Sequence, residues 1–228
     1  MTRPAALSEL ALTDQALTGW SEASAPARRA GLLLGAGADG QPVVAQVFRR
    51  AGTRIVCAAG QSVAELLAVR AAAAGVPVLV RSDDRSRWRA AQQAFGQRIL
   101  IDARPAPELP SRLDQPVLYI DDLPPESGAA GGGSGGSAGD GRAWQCRLLI
   151  REVRTAADAQ GLASADLLLL GRLPGDLAAA VGAGLGLGPA AGPTLAALPA
   201  GQIALIRART LRLVTVDPTP PERPALDA

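Results

Sequence analysis

The sequence contains no lysine, no histidine and no asparagine, and all 23 of its basic residues are arginine. Without histidine, a Ser-His-Asp triad is impossible, and the commonest zinc ligand and the commonest general base are both missing. Without lysine, the side chain that normally reaches the β- and γ-phosphates in a nucleotide-binding loop is missing. We interpret the bias toward Ala, Gly, Pro and Arg first as the mark of a GC-rich genome and only then as a sign of function.

Aromatic residues and net charge are also scarce. Aromatics make up 3% of the 228 residues, so the core must be built from Ala, Leu and Val, and the hydrophobic content of 48% suffices for one. The net charge is +2 and the arginines are spread along the chain, which argues against nucleic acid as a partner. The two cysteines, Cys57 and Cys146, each lie in an apolar run and are predicted to be buried and reduced.

Long apolar runs are missing as well. No stretch reaches the ~20 apolar residues needed to cross a bilayer, and no apolar run typical of a signal peptide follows Arg3. We therefore predict a cytoplasmic protein that is not integral to a membrane. The length suits one α/β domain, or one domain and a half.

Composition divides the chain into a domain and two flanks. Residues 1–30 predict an N-terminal helix followed by a connector, and residues 31–217 predict the α/β domain. Within that domain, residues 127–141 are rich in Gly, Ala and Ser and predict a flexible loop. The proline-rich tail over 218–228 is predicted to be disordered.

Strands and helices alternate within the domain. Asp39-Gly40 lies between two apolar runs and predicts an opening hairpin. Residues 53–80 predict a strand, a helix over 62–74 and a second strand, which together form one β-α-β unit. A closing hairpin is predicted over 202–216. The predicted fold class is therefore α/β, with a mostly parallel sheet, helices on both faces and antiparallel hairpins at both ends of the chain.

The junction between the first buried strand and its helix is a candidate phosphate loop. Gly60, Gln61 and Ser62 lie where such a loop belongs, at a helix N-terminus whose free N–H groups attract phosphate. A working loop needs several glycines and a lysine, and here one glycine remains and no lysine is available. Ser62 and Glu65 also have the spacing of a capping box, so an ordinary strand-to-helix turn is the simpler interpretation.

A pair of carboxylates, Asp121 and Asp122, ends the strand predicted over 116–122. In nucleotide hydrolases an acidic residue at this position holds Mg²⁺ through water. A metal site would require further oxygen ligands or a phosphate nearby. The alternative interpretation is a solvated strand end.

Four segments occur in an order that is similar to that of a known protein family, and the similarity covers about residues 30–216. These segments are 34–43, 55–60, 119–123 and 165–170, and the third is similar to a Walker B strand. The chain resembles the FtsK/SpoIIIE class of translocation ATPases, above all the ATPase modules of type VII (ESX) secretion systems. It is also similar to small soluble proteins associated with those systems in actinobacteria.

The resemblance implies a P-loop-like fold, and the departures from it imply a relative that does not hydrolyse nucleotide. Gly60, Gln61 and Ser62 would be the remnant of the nucleotide-binding loop, and Asp121 and Asp122 the remnant of the metal site. No cofactor and no catalytic residue are expected. Such modules act as structural or regulatory domains, so the expected partner is a secretion ATPase or another component of the machine. Contact with a membrane would be peripheral, through that partner.

Two other functions are consistent with the sequence. The chain could be an enzyme, or a protein that binds a small molecule or nucleotide in the crevice at the C-terminal ends of the strands, around Gly60, Asp83 and Asp121. It could also be a scaffold for another protein, with no separable activity.

Overall fold

The computed structural model describes residues 31–102, 111–113, 115–123 and 142–226. The predicted N-terminal helix and connector (1–30) and the predicted flexible loop (127–141) lie outside the described residues.

The described residues form ten strands and five α-helices. The strands are β1 (Leu32–Ala36), β2 (Pro42–Ala45), β3 (Thr53–Ala58), β4 (Val78–Ser82), β5 (Ile99–Asp102), β6 (Val117–Asp122), β7 (Gln145–Ile150), β8 (Leu167–Leu170), β9 (Gln202–Arg207) and β10 (Thr210–Thr215). The helices are α1 (Gln61–Ala73), α2 (Arg89–Phe95), α3 (Ala156–Leu162), α4 (Gly175–Gly184) and α5 (Ala191–Ala196), with short 3-10 turns at Gly96–Arg98 and Arg223–Ala225. Among the described residues, no helix is both long and apolar enough to cross a bilayer.

All ten strands join one sheet in the order β2-β1-β10-β9-β8-β3-β7-β6-β4-β5. The six strands from β8 to β5 are parallel to one another. The hairpins β1–β2 and β9–β10 pair antiparallel and extend the sheet beyond β8. The predicted fold class is confirmed: an α/β fold with a mostly parallel sheet and antiparallel hairpins from both ends of the chain.

The predicted β-α-β unit over 53–80 exists, but its two strands are not neighbours. Strands β7 and β6 lie between β3 and β4. Helix α1 has 13 residues and is about 20 Å long, enough to carry the chain past two further strands spaced about 4.8 Å apart. Strands β6 and β7, which come later in the chain, lie between β3 and β4.

Helices cover both faces of the sheet, because alternate residues of its strands point to opposite faces. On one face, Ile55 and Cys57 belong to a core that includes α1 and α2. On the other, Val56 belongs to a second core with α3, α4 and α5. Both cysteines are free and buried, as predicted, and burial raises the pKa of the Cys57 thiol to about 11.

The start of α1 differs from the predicted capping box. Helix α1 begins at Gln61, its N-cap is Gly60, and no side chain caps it. Gly60 has φ of +98°, a conformation that glycine adopts at little cost. Ser62 is therefore already inside the first turn, exposed, and cannot cap the helix.

The tail also differs from the prediction of disorder, as far as the described residue 226. Glu222 is only 4% exposed, because it pairs with Arg70, a buried residue of α1. Arg70 Nε donates to Glu222 Oε1 at 2.8 Å and its Nη2 donates to Oε2 at 3.2 Å. The other donors of Arg70 reach the carbonyl oxygens of Leu34 (2.7 Å) and Asp217 (3.1 Å). Composition alone suggested disorder, whereas one buried charge fixes the tail.

We expect Glu222→Gln to lower the free energy of unfolding by about 3 kcal/mol, because it leaves the buried Arg70 without its counter-charge. Urea denaturation followed by circular dichroism measures this. The matched control is Glu152→Gln, which removes a carboxylate from a solvent-exposed pair with Arg154 and should leave the midpoint unchanged. Equal effects of the two substitutions would contradict the assignment of the tail.

Candidate functional site

Both predicted site segments lie at the edge of the sheet where the parallel strands have their carboxyl ends. Gly60, Gln61 and Ser62 follow β3, whereas Asp121 and Asp122 end β6. Strand β7 lies between β3 and β6, so the two segments are about 10 Å apart, the width of two strand spacings. The structure therefore brings them to one edge but not into contact.

The segment before α1 is a tight turn rather than a wide loop. The chain after β8 closes on it: Gly171 N–H donates to the Ala58 carbonyl at 3.1 Å. A Cβ placed on Gly171 would come within 3.2 Å of Ala59 Cα, so the two backbones nearly touch. A side chain on Gly60 would meet no atom within 4 Å, so the turn is open to solvent on that side. The N–H groups at the start of α1 are the feature that could meet an anion here.

Asp122 is a buried carboxylate with three protein partners. Its Oδ2 accepts hydrogen bonds from Ser82 Oγ at 2.9 Å and from Trp88 Nε1 at 2.8 Å. Its Oδ1 lies 3.6 Å from the Arg87 guanidinium, and its side chain is 6% exposed. The carboxylate thus joins β6, β4 and the segment that leads into α2, and it satisfies the buried Trp88 indole.

Asp121 faces the opposite side of the sheet, because consecutive strand residues alternate. Its Oδ2 lies 3.3 Å from Arg81 Nη2 and 4.0 Å from Arg151 Nη2. Burial lowers the pKa of Arg151, and the nearby Asp121 opposes that shift. The two carboxylates therefore do not converge on one cation, and each lies beside guanidinium groups. Among the described residues, no group of three or more His, Cys, Asp or Glu is placed to hold a metal ion.

Glu65 belongs to the same edge, although the sequence suggested only a capping role for it. It lies half-buried on α1. Burial raises the pKa of Glu65, Gln61 and Arg87 act to lower it, and the neighbouring Asp122 acts to raise it. We call Glu65, Ser82, Arg87, Trp88 and Asp122 the carboxyl-edge cluster. No sequence signal linked α1 to the residues before α2, since their proximity depends on the strand order.

Asp83, the third residue of the predicted crevice, is exposed at the end of β4. No hydrogen bond or ion pair joins it to another described residue. It does not belong to the carboxyl-edge cluster.

Comparison with known proteins supports the fold. No protein-family model and no curated protein sequence matches the chain. A solved structure, the cytoplasmic domain of the Thermomonospora curvata type VII secretion ATPase EccC, is similar with a TM-score of 0.52 and 13% sequence identity. The similarity covers 83% of this chain but only 29% of the EccC chain. At that identity the likeness establishes a shared fold.

We expect Asp122→Ala to lower the free energy of unfolding by about 2–4 kcal/mol, because it leaves the buried donors of Trp88 and Ser82 without an acceptor. Asp121→Ala is the matched control and should cost less than about 1 kcal/mol, because its ion pairs are partly exposed. Urea denaturation gives both values. A larger loss for Asp121→Ala would show that the roles of the two carboxylates are reversed.

The raised pKa of Glu65 predicts a dependence of stability on pH. A carboxyl group whose pKa is raised by folding destabilises the native state once pH exceeds its ordinary value of about 4.3. We therefore expect Glu65→Gln to stabilise the protein at pH 7, and the difference from wild type to shrink as pH falls toward 4. Thermal melts at several pH values measure this. A Glu65→Gln variant that is less stable at pH 7 would show that the ionised carboxylate is favoured.

Proposed function

We propose that the chain is a non-catalytic interaction or regulatory module of a protein-secretion machine, most closely of the type VII (ESX) kind. Its partner would be a secretion ATPase or another component of the machine. The module would act on the cytoplasmic side and meet a membrane only through that partner. The shared fold with the EccC cytoplasmic domain supports the link to secretion.

The main support for a module without catalysis comes from the hydrogen-bond and ion-pair partners of Asp121 and Asp122. Asp122 is occupied by Ser82 and Trp88, and the Asp121 carboxylate lies beside Arg81 and Arg151. A divalent cation at Asp121 would approach two guanidinium groups, which repel it. A cation at Asp122 would have to break hydrogen bonds to a buried indole. The pair therefore suits a structural role.

The turn before α1 supports the same proposal. Its backbone packs against Gly171, and it holds one glycine where a phosphate-wrapping loop needs several. The sequence has no lysine to reach the outer phosphates. Together, the tight turn with a single glycine and the carboxylates paired within the protein favour a module that keeps the fold of the ATPases but not their chemistry.

The proposal predicts that the purified protein hydrolyses no ATP in the presence of Mg²⁺ and that it co-elutes with a type VII secretion ATPase from the same organism. Phosphate release and size-exclusion chromatography measure the two results. Mg²⁺-dependent turnover that is lost in Asp121→Asn would overturn the proposal.

A nucleotide-binding function would give a different result. A nucleotide present at a hundred times its dissociation constant should stabilise the protein by about 2.7 kcal/mol, which a thermal melt detects readily. Stabilisation by ATP or ADP without turnover, together with no co-elution, would favour a nucleotide-binding protein instead.

A further inference from the structure

A groove opens at the opposite edge of the sheet from the carboxyl-edge cluster. It lies between the ends of α3 and α4 and the turn that joins β9 to β10, beside the amino end of β8. Its volume is about 370 Å³, within the range of ~300–1,000 Å³ that is usual for ligand sites. None of the residues that we assign to the carboxyl-edge cluster lines it.

The floor of the groove is apolar. It is formed by Leu162 of α3, Leu168 of β8, Ile206 of β9 and Leu185, the residue that follows α4. Small residues, including Ala163 and Ala183, also line it. The site can therefore accept a bulky apolar side chain without displacing one of its own.

Two arginines, Arg207 and Arg209, are the charged residues that line the groove. Both are exposed, and neither guanidinium has a hydrogen-bond or ion-pair partner among the described residues. No acidic residue of the described part of the chain lines the groove. This contrasts with the carboxyl edge, where Arg81, Arg87 and Arg151 all lie beside carboxylates.

The turn that carries Arg209 has an unusual backbone. Ala208 and Arg209 have φ of +47° and +64°, a left-handed conformation that glycine or asparagine adopts more easily. The Arg209 side chain lies against Gly186, just past the end of α4: a Cβ placed on Gly186 would be 3.5 Å from Arg209 Nε. The negative end of the α4 dipole favours a cation there. The turn and the helix end together hold the Arg209 side chain at the rim.

We infer that this groove binds a segment of a partner protein in which a bulky apolar residue is flanked by carboxylates. The floor would take the apolar side chain, and Arg207 and Arg209 would pair with the acidic ones. Arginine is suited to this role because its guanidinium binds a carboxylate through two parallel hydrogen bonds. The inference rests on the proposed function as an interaction module and names the partner chemistry.

The test uses the full-length protein and pools of fluorescein-labelled 12-residue peptides. One pool carries a central Leu or Phe flanked by Glu and Asp, a second replaces the acidic residues by Lys and Arg, and a third keeps the acidic residues but replaces the apolar one by Ser. Fluorescence anisotropy should show the first pool binding about tenfold more tightly than either of the others. Equal affinity for all three pools, or no binding by any, would overturn the inference.

Two variants and one control locate the site. The double variant Arg207→Gln, Arg209→Gly removes both positive charges, and it should stay folded because glycine suits the left-handed turn. Its affinity for the first pool should fall to that for the second, basic pool. Arg212→Glu changes the net charge by the same amount at an exposed residue of β10 that does not line the groove, and should leave binding unchanged. Ala183→Trp should fill the groove and weaken binding of the apolar pools by about tenfold. Thermal melts verify that each variant is folded, and loss of binding in Arg212→Glu alone would contradict the assignment.

Co-elution with the secretion ATPase separates this inference from the proposed function. If the double arginine variant co-elutes as well as the wild type, the groove is not the interface and the proposed function stands. If the wild type fails to co-elute but binds the acidic pool, the groove binds peptide and the proposed secretion partner is wrong.

Discussion

A buried charge on α1 determines how the two ends of the described domain meet. Helix α1 is buried on most of its sides, so Arg70 cannot reach water and must be neutralised within the protein. Glu222 neutralises it, and two backbone carbonyl groups accept its remaining hydrogen bonds, that of Leu34 in β1 and that of Asp217, two residues past β10. The opening hairpin, the first crossover helix and the tail are thereby held together. The side chains of α1 include many alanines and no aromatic residue, which allows the helix to pack closely.

Charge has a structural role at the carboxyl edge as well. The sequence offered Asp121 and Asp122 as the remnant of a metal site or as a solvated strand end, and in the structure their partners are arginines, a serine and an indole. Here the energetic need to satisfy buried donors explains Asp122, and ion pairing explains Asp121. This is why fold similarity alone could not assign an activity.

The arginines of the amino-edge groove differ from those of the carboxyl edge, although Arg49 pairs with Asp166 elsewhere at the amino edge. At the carboxyl edge the guanidinium groups lie beside carboxylates of the same chain. At the amino edge, Arg207 and Arg209 flank an apolar groove and have no such partner among the described residues. Unpaired charge beside open apolar surface is the arrangement that protein partners recognise, since the apolar part provides affinity and the charges provide selectivity.

The sequence by itself determined the fold class, the opening and closing hairpins, and the burial of both cysteines. These features depend on local periodicity, turn chemistry and hydrophobicity, all of which can be seen in residues that are close together in the sequence. It also placed Gly60 and Asp121 at the ends of strands. Only the tertiary structure decided that β7 lies between β3 and β6, that Glu65 adjoins Asp122, and that Glu222 pairs with Arg70 across 152 residues. These contacts depend on strand order and long-range packing, which no local pattern encodes, and the role of each charged residue depends on them.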